Sequence, residues 1–537
     1  MGIIFYLKDF FSSNDVADNF IVSLYPMKGN IKIWMPVLLA VVLVMGIQMG
    51  LLLSGGDKIS FGGDKNLSSM DEVLAYVAAK YVDTVNLASL KQKGIEALLL
   101  QLDPHSIFIS NEKLLEVNQQ IHGSFEGVGI EFSSLFDTAT VVNVIQGGPS
   151  SQAGIKKGDK IVSVNDILVA GKVYSEDSIK SKLKGVGGTK VKVGIKRLGT
   201  NELKYFTIIR GKIQVASVTA SYMINNEIGY IRLERFSETS EDELHSSLNK
   251  LKEAGMKKLI LDLRGNGGGV LDVSVNIADE FLSEKKLVVY TVGRVYPKKE
   301  YYTGKSGLFE KGALCLLIDD GSASASEILA GALQDYDRAT IVGRRSFGKG
   351  LVQEQYTLSD SSGLRLTIAR YFTPSGRSIQ KPYKEGAESY NHEMLNRYGK
   401  GELTNKDSIK LTDTTKYYTE SGRVVYGGGG IVPDVFVVLD TSFFGSSIAG
   451  LSLELIQASA YQFAINYSRV FTESDVKLIE PTLKISFSNL NGVQKKQLLY
   501  NLSNLSARML KDENEYFRFQ NNTDNDVLKA VELLNKK

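Results

Sequence analysis

Short apolar runs recur between Gln214 and about Asp440, and segments with apolar positions at helical spacing lie between them. The runs are uncharged or nearly so, which is typical of strands covered on both faces of a sheet. The predicted strands are Glu227 to Leu233, Leu259 to Leu263 and Ala313 to Ile318, and the predicted helices are Glu241 to Ala254, Leu271 to Leu282 and Ile328 to Tyr336. This alternation predicts an α/β fold.

The pattern differs on the N-terminal side of this region. Met70 to Leu102 has helical periodicity, and Asp103-Pro104 ends it because proline disfavours a helical conformation at the preceding residue. A unit of about 90 residues, Ser124 to Lys212, follows and shows strand-like alternation at Thr140 to Ile145 and Lys190 to Lys196. We therefore expect a small helical region and then a β-rich unit.

Towards the C-terminus the chain becomes polar and then helical. Lys381 to Tyr426 is rich in Tyr, Lys, Glu and Thr with little periodicity, which predicts a surface excursion. From Ser442 onward, segments such as Leu451 to Tyr467 and Val527 to Leu534 predict a helical region. Its amphipathic stretches fit either assembly with other chains or packing on their own chain.

Ile33 to Leu53 is an uncharged run of 21 residues, long enough as a helix to cross a bilayer. Lys28 and Lys32 precede it, so the positive-inside bias places the larger C-terminal part outside the cytoplasm. A cleaved secretory signal is the alternative, although no A-x-A site follows the run. Met27 is a second candidate start, so residues 1–26 are either a cytoplasmic tail or an over-extended start.

The composition limits which binding partners and which kinds of active site the chain can be expected to have. Lys and Arg total 63 against 60 Asp and Glu, and no basic run indicates a nucleic-acid groove. The single cysteine, Cys315, lies in an apolar strand and is predicted to be a core residue. The four histidines have no metal-ligand spacing, so we expect no metal and few candidates for a histidine-based triad; they are His105, His122, His245 and His392.

Ser324 follows the predicted strand Ala313 to Ile318 at the start of a helix, and Lys349 comes 25 residues later. The unpaired N–H groups of a helix start carry partial positive charge that can stabilise an oxyanion. A lysine amine accepts a serine proton only when burial disfavours its charge, so Lys349 must be desolvated. Read alone, Ser324-x-x-Glu327 is a helix capping box, and only its combination with other motifs indicates a nucleophile.

The unit from Ser124 to Lys212 resembles a circularly permuted PDZ domain of bacterial proteases. The resemblance depends on Gly127-Val128-Gly129-Ile130 and on the stretch from Gly148 to Asn165, GPSSQAGIKKGDKIVSVN. Such domains bind an extended C-terminal tail as an added strand, with loop N–H groups holding its carboxylate. The resemblance places Gly127, Val128, Gly129 and Ile130 at that loop, whereas the glycines alone would also fit a hairpin turn.

Together with Arg264 to Gly269, these motifs make the chain resemble the C-terminal processing peptidases, serine proteases with a Ser-Lys dyad. The resemblance covers about residues 70 to 440, and its most specific stretches are Gly321 to Asp335 and Val342 to Gln353. Supporting stretches are Leu102 to Ser106, Tyr371 to Gln380 and Gly427 to Asp434. It implies a nucleophilic Ser324, a general base Lys349 oriented by Gln353, and no cofactor. The implied oxyanion donors are the N–H group of Ala325 and that of Gly268 or Gly269. Gly267 stands where relatives often carry proline.

The implied fold is an α/β, crotonase-like (ClpP/crotonase type) peptidase core with an inserted PDZ-like domain and helical regions at both ends. The expected boundaries are a cytoplasmic tail at 1–32, a transmembrane anchor at 33–53, a linker at 54–66, a helical region at 67–120, the PDZ-like domain at 121–212, the peptidase core at 213–440 and a helical region at 441–537.

The resulting prediction is a single-pass protein of the bacterial inner membrane that cleaves polypeptide C-terminal tails in the extracytoplasmic space, with a homo-oligomer or a regulatory adaptor left open. A noncatalytic PDZ-containing scaffold on a peptidase-like fold is the main alternative. A hydrolase of acyl-thioesters is a weaker one and predicts coenzyme A binding.

Overall fold

The computed structural model describes residues 39–49, 69–135, 137–171, 174–200, 202–410, 413–440, 447–448 and 450–536. The chain divides into two compact units, Met1–Val85 and Asn86–Lys537. The predicted tail at 1–32, the linker at 54–66 and both ends of the predicted anchor lie outside the described residues.

The first unit contributes two described helices, α1 at residues 39–49 and α2 at Ser69–Lys80. Within the described part of the chain, none of the helices combines the length and the apolar content that a bilayer crossing needs.

The second unit begins with α3 (Leu87–Leu100), β1 (Ile107–Ile109) and α4 (Asn111–Ile121). The Asn86 side chain caps α3 by accepting the N–H of Ser89. The helical periodicity predicted from Met70 to Leu102 is thus divided between α2 and α3, and the predicted break at Asp103-Pro104 is confirmed.

The β-rich unit forms a sheet of its own. Its elements are β2 (Ser124–Gly127), β3 (Ile130–Leu135), β4 (Thr138–Val144), α5 (Pro149–Ala153), β5 (Lys160–Val164), β6 (Ile167–Leu168), α6 (Glu176–Leu183), β7 (Lys190–Lys196), β8 (Leu203–Ile209) and β9 (Gly211–Gln214). The strand order is β3-β4-β5-β7-β8, with β6 beside β5, and every pair is antiparallel. Strands β2 and β9 pair with each other where the chain enters and leaves the unit.

A mostly parallel sheet carries the α/β core. Its elements are β10 (Val218–Met223), β11 (Ile228–Leu233), α7 (Ser240–Glu253), β12 (Lys258–Asp262), α8 (Leu271–Asp279), β15 (Leu314–Ile318), α9 (Ala325–Asp335), β16 (Thr340–Gly343) and β21 (Val435–Phe436). The strand order is β10-β11-β12-β15-β16-β21, antiparallel only between β10 and β11. All residues of β15 are buried, as its uncharged sequence predicts, and Cys315 is among them.

An antiparallel sheet flanks this core. It contains β13 (Leu287–Val292), β14 (Lys299–Tyr302), β17 (Leu351–Thr357) and β18 (Gly363–Phe372), and β1 joins it. Strands β17 and β18 form a long hairpin in which Gln353 lies opposite Thr367 and Gln355 opposite Arg365. The hairpin therefore presents these four side chains on one face.

The prediction that Lys381 to Tyr426 is only a surface excursion is wrong. Helix α10 (Ala387–Gly399) and the short strands β19 (Tyr417–Tyr418) and β20 (Val424–Val425) lie within it. Lys381, Tyr390 and Arg397 are buried there, and two of these three are cations. Helix α10 buries a tyrosine and an arginine rather than an apolar stripe, so its sequence shows little hydrophobic periodicity and the pattern missed it.

The C-terminal elements are β22 (Ser447–Ile448), β23 (Leu451–Ser452), α11 (Leu453–Tyr467), α12 (Val476–Leu483), α13 (Gly492–Leu510), α14 (Glu513–Asn521) and α15 (Asn525–Asn535). Helix α11 and the end of α13 pack on the β3–β4 side of the PDZ-like sheet through Tyr461 and Met509. Val527, Ala530 and Leu534 of α15 pack on one face of the parallel sheet. These helices thus pack on their own chain.

Candidate active site

Ser324 lies at the turn between β15 and α9, immediately before the first residue of α9. Its backbone has φ 55° and ψ −113°, a conformation that non-glycine residues adopt rarely. Strained residues of this kind persist only when their surroundings hold them, and they cluster at functional sites. The turn therefore presents Ser324 in a fixed orientation.

Glu327 provides much of that restraint. Within the described residues, its Oε1 accepts the hydroxyl of Ser346 at 2.5 Å and the N–H of Gly348 at 2.7 Å. Its Oε2 accepts the N–H groups of Ser324 and Lys349, both at 2.9 Å. Burial raises the pKa of this carboxyl from 4.5 to about 7, against the opposing effect of these hydrogen bonds. One buried side chain thus ties the serine turn to the loop that carries the lysine.

Lys349 comes directly before β17, and its amine donates to the side-chain oxygen of Gln353 at 3.0 Å. Among the described residues, no carboxylate forms an ion pair with it. Burial, and secondly the positive charge of Arg365, lower the pKa of Lys349. The Gln353 amide carries no charge, so it adds no ion-pair attraction that would raise the pKa of Lys349.

The Gln353 side chain is itself held by the turn after α3. Its amide nitrogen donates to the backbone carbonyl of His105 at 2.5 Å. Asp103 shapes that turn by accepting the N–H of His105 at 2.8 Å and the N–H of Ser106 at 2.9 Å. Burial first, and then the nearby charge of Lys349, lower the pKa of His105 to about 4, so its ring is neutral near pH 7.

The glycine loop after β12 lies directly against the serine turn. Gly268 has φ +97°, and a Cβ there would come within 2.8 Å of both the Ala325 nitrogen and the Ser324 Cβ. Only glycine fits this approach. The N–H of Gly268 donates to the side chain of Asn266 at 2.9 Å, and the carbonyl of Asn266 accepts the N–H of Ala323 at 3.0 Å.

These groups open onto one cavity of about 810 Å³, here called the catalytic cavity. Ser324, Ala325, Lys349, Gln353, Gly268 and Gly269 all line it, as do Arg365 and Tyr371. The Tyr371 hydroxyl donates to the carbonyl oxygens of Ser324 at 3.0 Å and Lys349 at 2.6 Å. The structure thus brings the predicted catalytic and oxyanion residues together around one opening.

The predicted peptide-binding residues lie in the PDZ-like unit. Gly127 ends β2, Val128 is buried, and the carbonyl of Val128 accepts the N–H of Ser150 at 3.0 Å. Gly129 has φ +74°, and Ile130 begins β3. In the strand order of the described sheet, β3 is an edge strand paired only with β4. An edge strand can accept another strand.

Sequence reasoning missed several residues of the site. It treated Glu327 only as a helix cap, and it gave no role to Tyr371, Arg365 or His105. His105 and Tyr371 lie in two stretches, Leu102 to Ser106 and Tyr371 to Gln380, that carry part of the resemblance. Their position in those stretches could have marked His105 and Tyr371 as site residues. Their roles could not be predicted, because the partners of each side chain come from distant parts of the chain.

Comparison with known proteins defines the class. The family model described as Peptidase family S41 matches residues 227–388, and the PDZ domain model matches residues 127–208. The chain is 36% identical over 321 residues to the carboxy-terminal-processing protease of Bartonella bacilliformis, covering 59% of this chain and 73% of the relative. It is 30% identical to the carboxy-terminal processing protease CtpA of Bacillus subtilis, covering 66% of this chain and 76% of that protein.

Among solved structures, the photosystem II D1 C-terminal processing protease is similar at 26% identity, with a TM-score of 0.35, over 71% of this chain and 88% of that one. The matches to the two family models and to the two curated proteases show that the molecule is a serine peptidase with a PDZ domain. It belongs to the carboxy-terminal processing proteases of peptidase family S41. The predicted fold class, an α/β peptidase core with an inserted PDZ-like domain and helical regions at both ends, is confirmed.

Proposed function

We propose that this chain is a membrane-anchored, extracytoplasmic serine endopeptidase that captures polypeptide C-termini and cleaves them with Ser324 as nucleophile and Lys349 as general base. The observation that carries the proposal is the environment of the Lys349 amine. It lines the same cavity as Ser324, and its hydrogen bond goes to the neutral amide of Gln353. A lysine in such a place can accept a proton near neutral pH.

In the proposed reaction the Ser324 hydroxyl oxygen attacks the substrate carbonyl carbon while its proton passes to the Lys349 amine. The peptide C–N bond then breaks, and the leaving nitrogen takes that proton, which leaves an acyl-enzyme. Water attacks the ester, Lys349 accepts the proton of that water, and the proton returns to Ser324 as the acid product leaves. Gln353 orients the amine throughout without holding it protonated.

The tetrahedral intermediate needs N–H donors beside Ser324. We assign this role to Ala325 and, of the two candidate glycines, to Gly269. The choice is supported by the hydrogen bond that the N–H of Gly268 already makes to Asn266 at 2.9 Å. Gly268 instead allows the close approach of the two loops, since a side chain there would meet the Ala325 nitrogen.

For capture, we propose that the substrate tail adds to the open edge of β3. The side chains of Ile130 and Phe132 pack against the apolar core of the PDZ domain, which includes Ile179 and Leu183 of α6. A groove between β3 and α6 would therefore be apolar. The loop Gly127 to Gly129 would receive the tail carboxylate. A polypeptide with an apolar C-terminal residue is therefore the expected substrate class.

Membrane anchoring is the part of the proposal that depends on sequence alone. Its support is the uncharged run Ile33 to Leu53 with Lys28 and Lys32 before it. Carbonate extraction of membranes, followed by protease accessibility of the folded part from the extracytoplasmic side, tests this. Release into the soluble fraction, or protection from added protease, would contradict it.

The catalytic proposal is tested with the full chain and an unstructured polypeptide that ends in an apolar residue. We expect Ser324→Ala and Lys349→Met each to lower kcat by about 100-fold to 10,000-fold, because each removes an acting group. Lys311→Met, on the surface, is the matched control. A serine-reactive probe should label Ser324 in the native chain and label it far more slowly in Lys349→Met. Tail binding without any cleavage in the native chain would favour the scaffold alternative.

A further inference from the structure

Helix α10 holds the loop that leads into Lys349. The Arg397 guanidinium donates to the backbone carbonyl of Ser346 at 2.8 Å and to that of Phe347 at 3.0 Å. Arg397 is only 3% exposed, so water competes little for these bonds. A planar guanidinium with two fixed acceptors sets both distance and direction. The backbone two and three residues before Lys349 is therefore positioned from α10.

The same helix reaches the other side of the lysine through Tyr390. Its hydroxyl forms a hydrogen bond with Nε2 of His105 at 2.8 Å, and the two rings meet edge to face at 5.2 Å. His105 is the residue whose carbonyl accepts the Gln353 amide. Tyr390 thus fixes the side chain of a residue whose backbone orients the partner of Lys349.

A group of charges holds α10 in this position, and in it Lys381 and Arg397 are buried whereas Glu393 is partly exposed. Glu393 of α10 pairs with Lys381 at 3.0 Å and with Arg397 at 2.7 Å. The Lys381 amine also lies 4.1 Å from the ring centres of Phe347 and Tyr390. Buried ion pairs add little net stability because desolvation offsets their attraction. Their clear consequence here is geometric, since they link α10 to the loop at Phe347.

We propose that α10 is a positioning clamp for the general base, in which Arg397 fixes the backbone before Lys349 and Tyr390 fixes the turn that orients Gln353. The inference depends on the proposed role of Lys349. Neither Arg397 nor Tyr390 is among the residues that line the catalytic cavity. Loss of either contact should therefore displace the amine without removing a group that touches substrate, and lower kcat while KM stays constant.

The test measures kcat and KM of the full chain with the same polypeptide substrate. Tyr390→Phe keeps the ring and removes only the hydroxyl, and we expect kcat to fall about 10-fold; for Arg397→Met we expect about 100-fold, the scale of a misplacement near 1 Å. Arg397→Lys restores the charge but not the paired donors, and should recover only part of kcat. Tyr418→Phe, an exposed tyrosine in the same polar segment, should match the native chain.

The rate at which the serine-reactive probe labels Ser324 separates a positioning defect from general destabilisation. It is measured at a temperature well below the Tm of every variant. The clamp predicts slower labelling in Tyr390→Phe even when its Tm equals that of the native chain. A kcat in Tyr390→Phe equal to that of the native chain, or a rise in KM alone, would overturn the clamp proposal. If Arg397→Met does not fold, the result for Tyr390→Phe alone decides the proposal. If Lys349→Met stays active, the proposed function itself fails; if Lys349→Met is inactive and Tyr390→Phe is fully active, only the clamp is wrong.

Discussion

The serine turn and the β3 edge of the PDZ domain differ in how their backbone groups are used. Around Ser324 and Lys349, N–H groups of both loops converge on the buried carboxylate of Glu327. Along β3, one side pairs with β4 and the other side has no strand partner in the described sheet. The N–H of Ser134 meets the side chain of Glu176 at 2.7 Å near the end of that open side.

This difference fits the two tasks that we propose for these regions, catalysis at the serine turn and capture at the β3 edge. A nucleophile and a base must be held within a fraction of an ångström before substrate arrives, so their loops are bonded to the protein itself. A capture strand needs unpaired donors and acceptors for an incoming chain, so its edge stays open. Changes in the first region should therefore alter kcat, and changes in the second should alter KM.

Among the changes that compare these two regions without removing the proposed nucleophile or base, Glu327→Gln is expected to have the largest effect. Each carboxylate oxygen accepts two donors, and an amide would point its own N–H groups at one of those pairs. We expect a loss of about 1 to 3 kcal/mol in the free energy of unfolding for unsatisfied buried groups, and a fall in kcat of about 100-fold from misplaced loops. Chemical denaturation and steady-state kinetics measure the two.

The pH dependence of the free energy of unfolding, compared between the native chain and Glu327→Gln, is the control for this prediction. Because the folded-state pKa of about 7 lies above the ordinary 4.5, the protonated carboxyl is favoured in the folded state. The contribution of this raised pKa to the stability of the folded state is fully present below pH 4.5 and is lost as pH rises to about 7. The native chain should therefore lose stability relative to Glu327→Gln across this window. A stability difference that does not change with pH would contradict the raised pKa.

The role of Glu327 also shows what the sequence could and could not predict. Ser324 and Lys349 stand in short stretches whose local order is specific, and the strands beside them are uncharged and easily recognised. Glu327 looked like a cap because its nearest sequence partner, Ser324, is three residues away. Its other partners, such as Gly348, come from a loop some 20 residues later, and no local pattern encodes that meeting.

Arg365→Gln should have a smaller effect that depends on pH. Arg365 lines the catalytic cavity and shares a face of the β17–β18 hairpin with Gln353. Its charge is the second cause, after burial, of the lowered pKa of Lys349. Removal of this cation raises that pKa, and since the base must be uncharged, the acidic limb of the kcat profile should move to higher pH.

The dependence of kcat on pH distinguishes this electrostatic effect of Arg365 from a packing defect. Arg365→Gln should be several-fold slower than the native chain on the acidic limb and equal to it at high pH. Arg365→Lys, which keeps the charge, should leave the limb close to its native position. A uniform loss at every pH would show that Arg365 acts through packing, and would remove it from the electrostatics of the site.

In the PDZ domain, Ile130→Ser should change KM and leave kcat unchanged. Ile130 begins the open strand and is partly buried against the core of the domain. A polar side chain would weaken an apolar groove, and we expect KM to rise about fivefold for a substrate with an apolar tail, near the free energy of burying a CH₂ or two. Ile167→Ser, on the exposed strand β6, is the control. An equal change in kcat would mean that capture and chemistry are not separable.

The smallest effect is expected on the other face of β3, where α11 and α13 pack. Glu131 lies 3.7 Å from Arg508 with both side chains partly exposed, and such pairs contribute less than about 1 kcal/mol. Glu131→Gln should therefore leave KM, kcat and Tm close to native. Tyr461→Ala, which removes a buried ring from the contact with Leu135 and Val142, should instead lower the unfolding temperature measurably. If Glu131→Gln proved the more damaging of the two, the PDZ domain would be held by charge rather than by apolar packing.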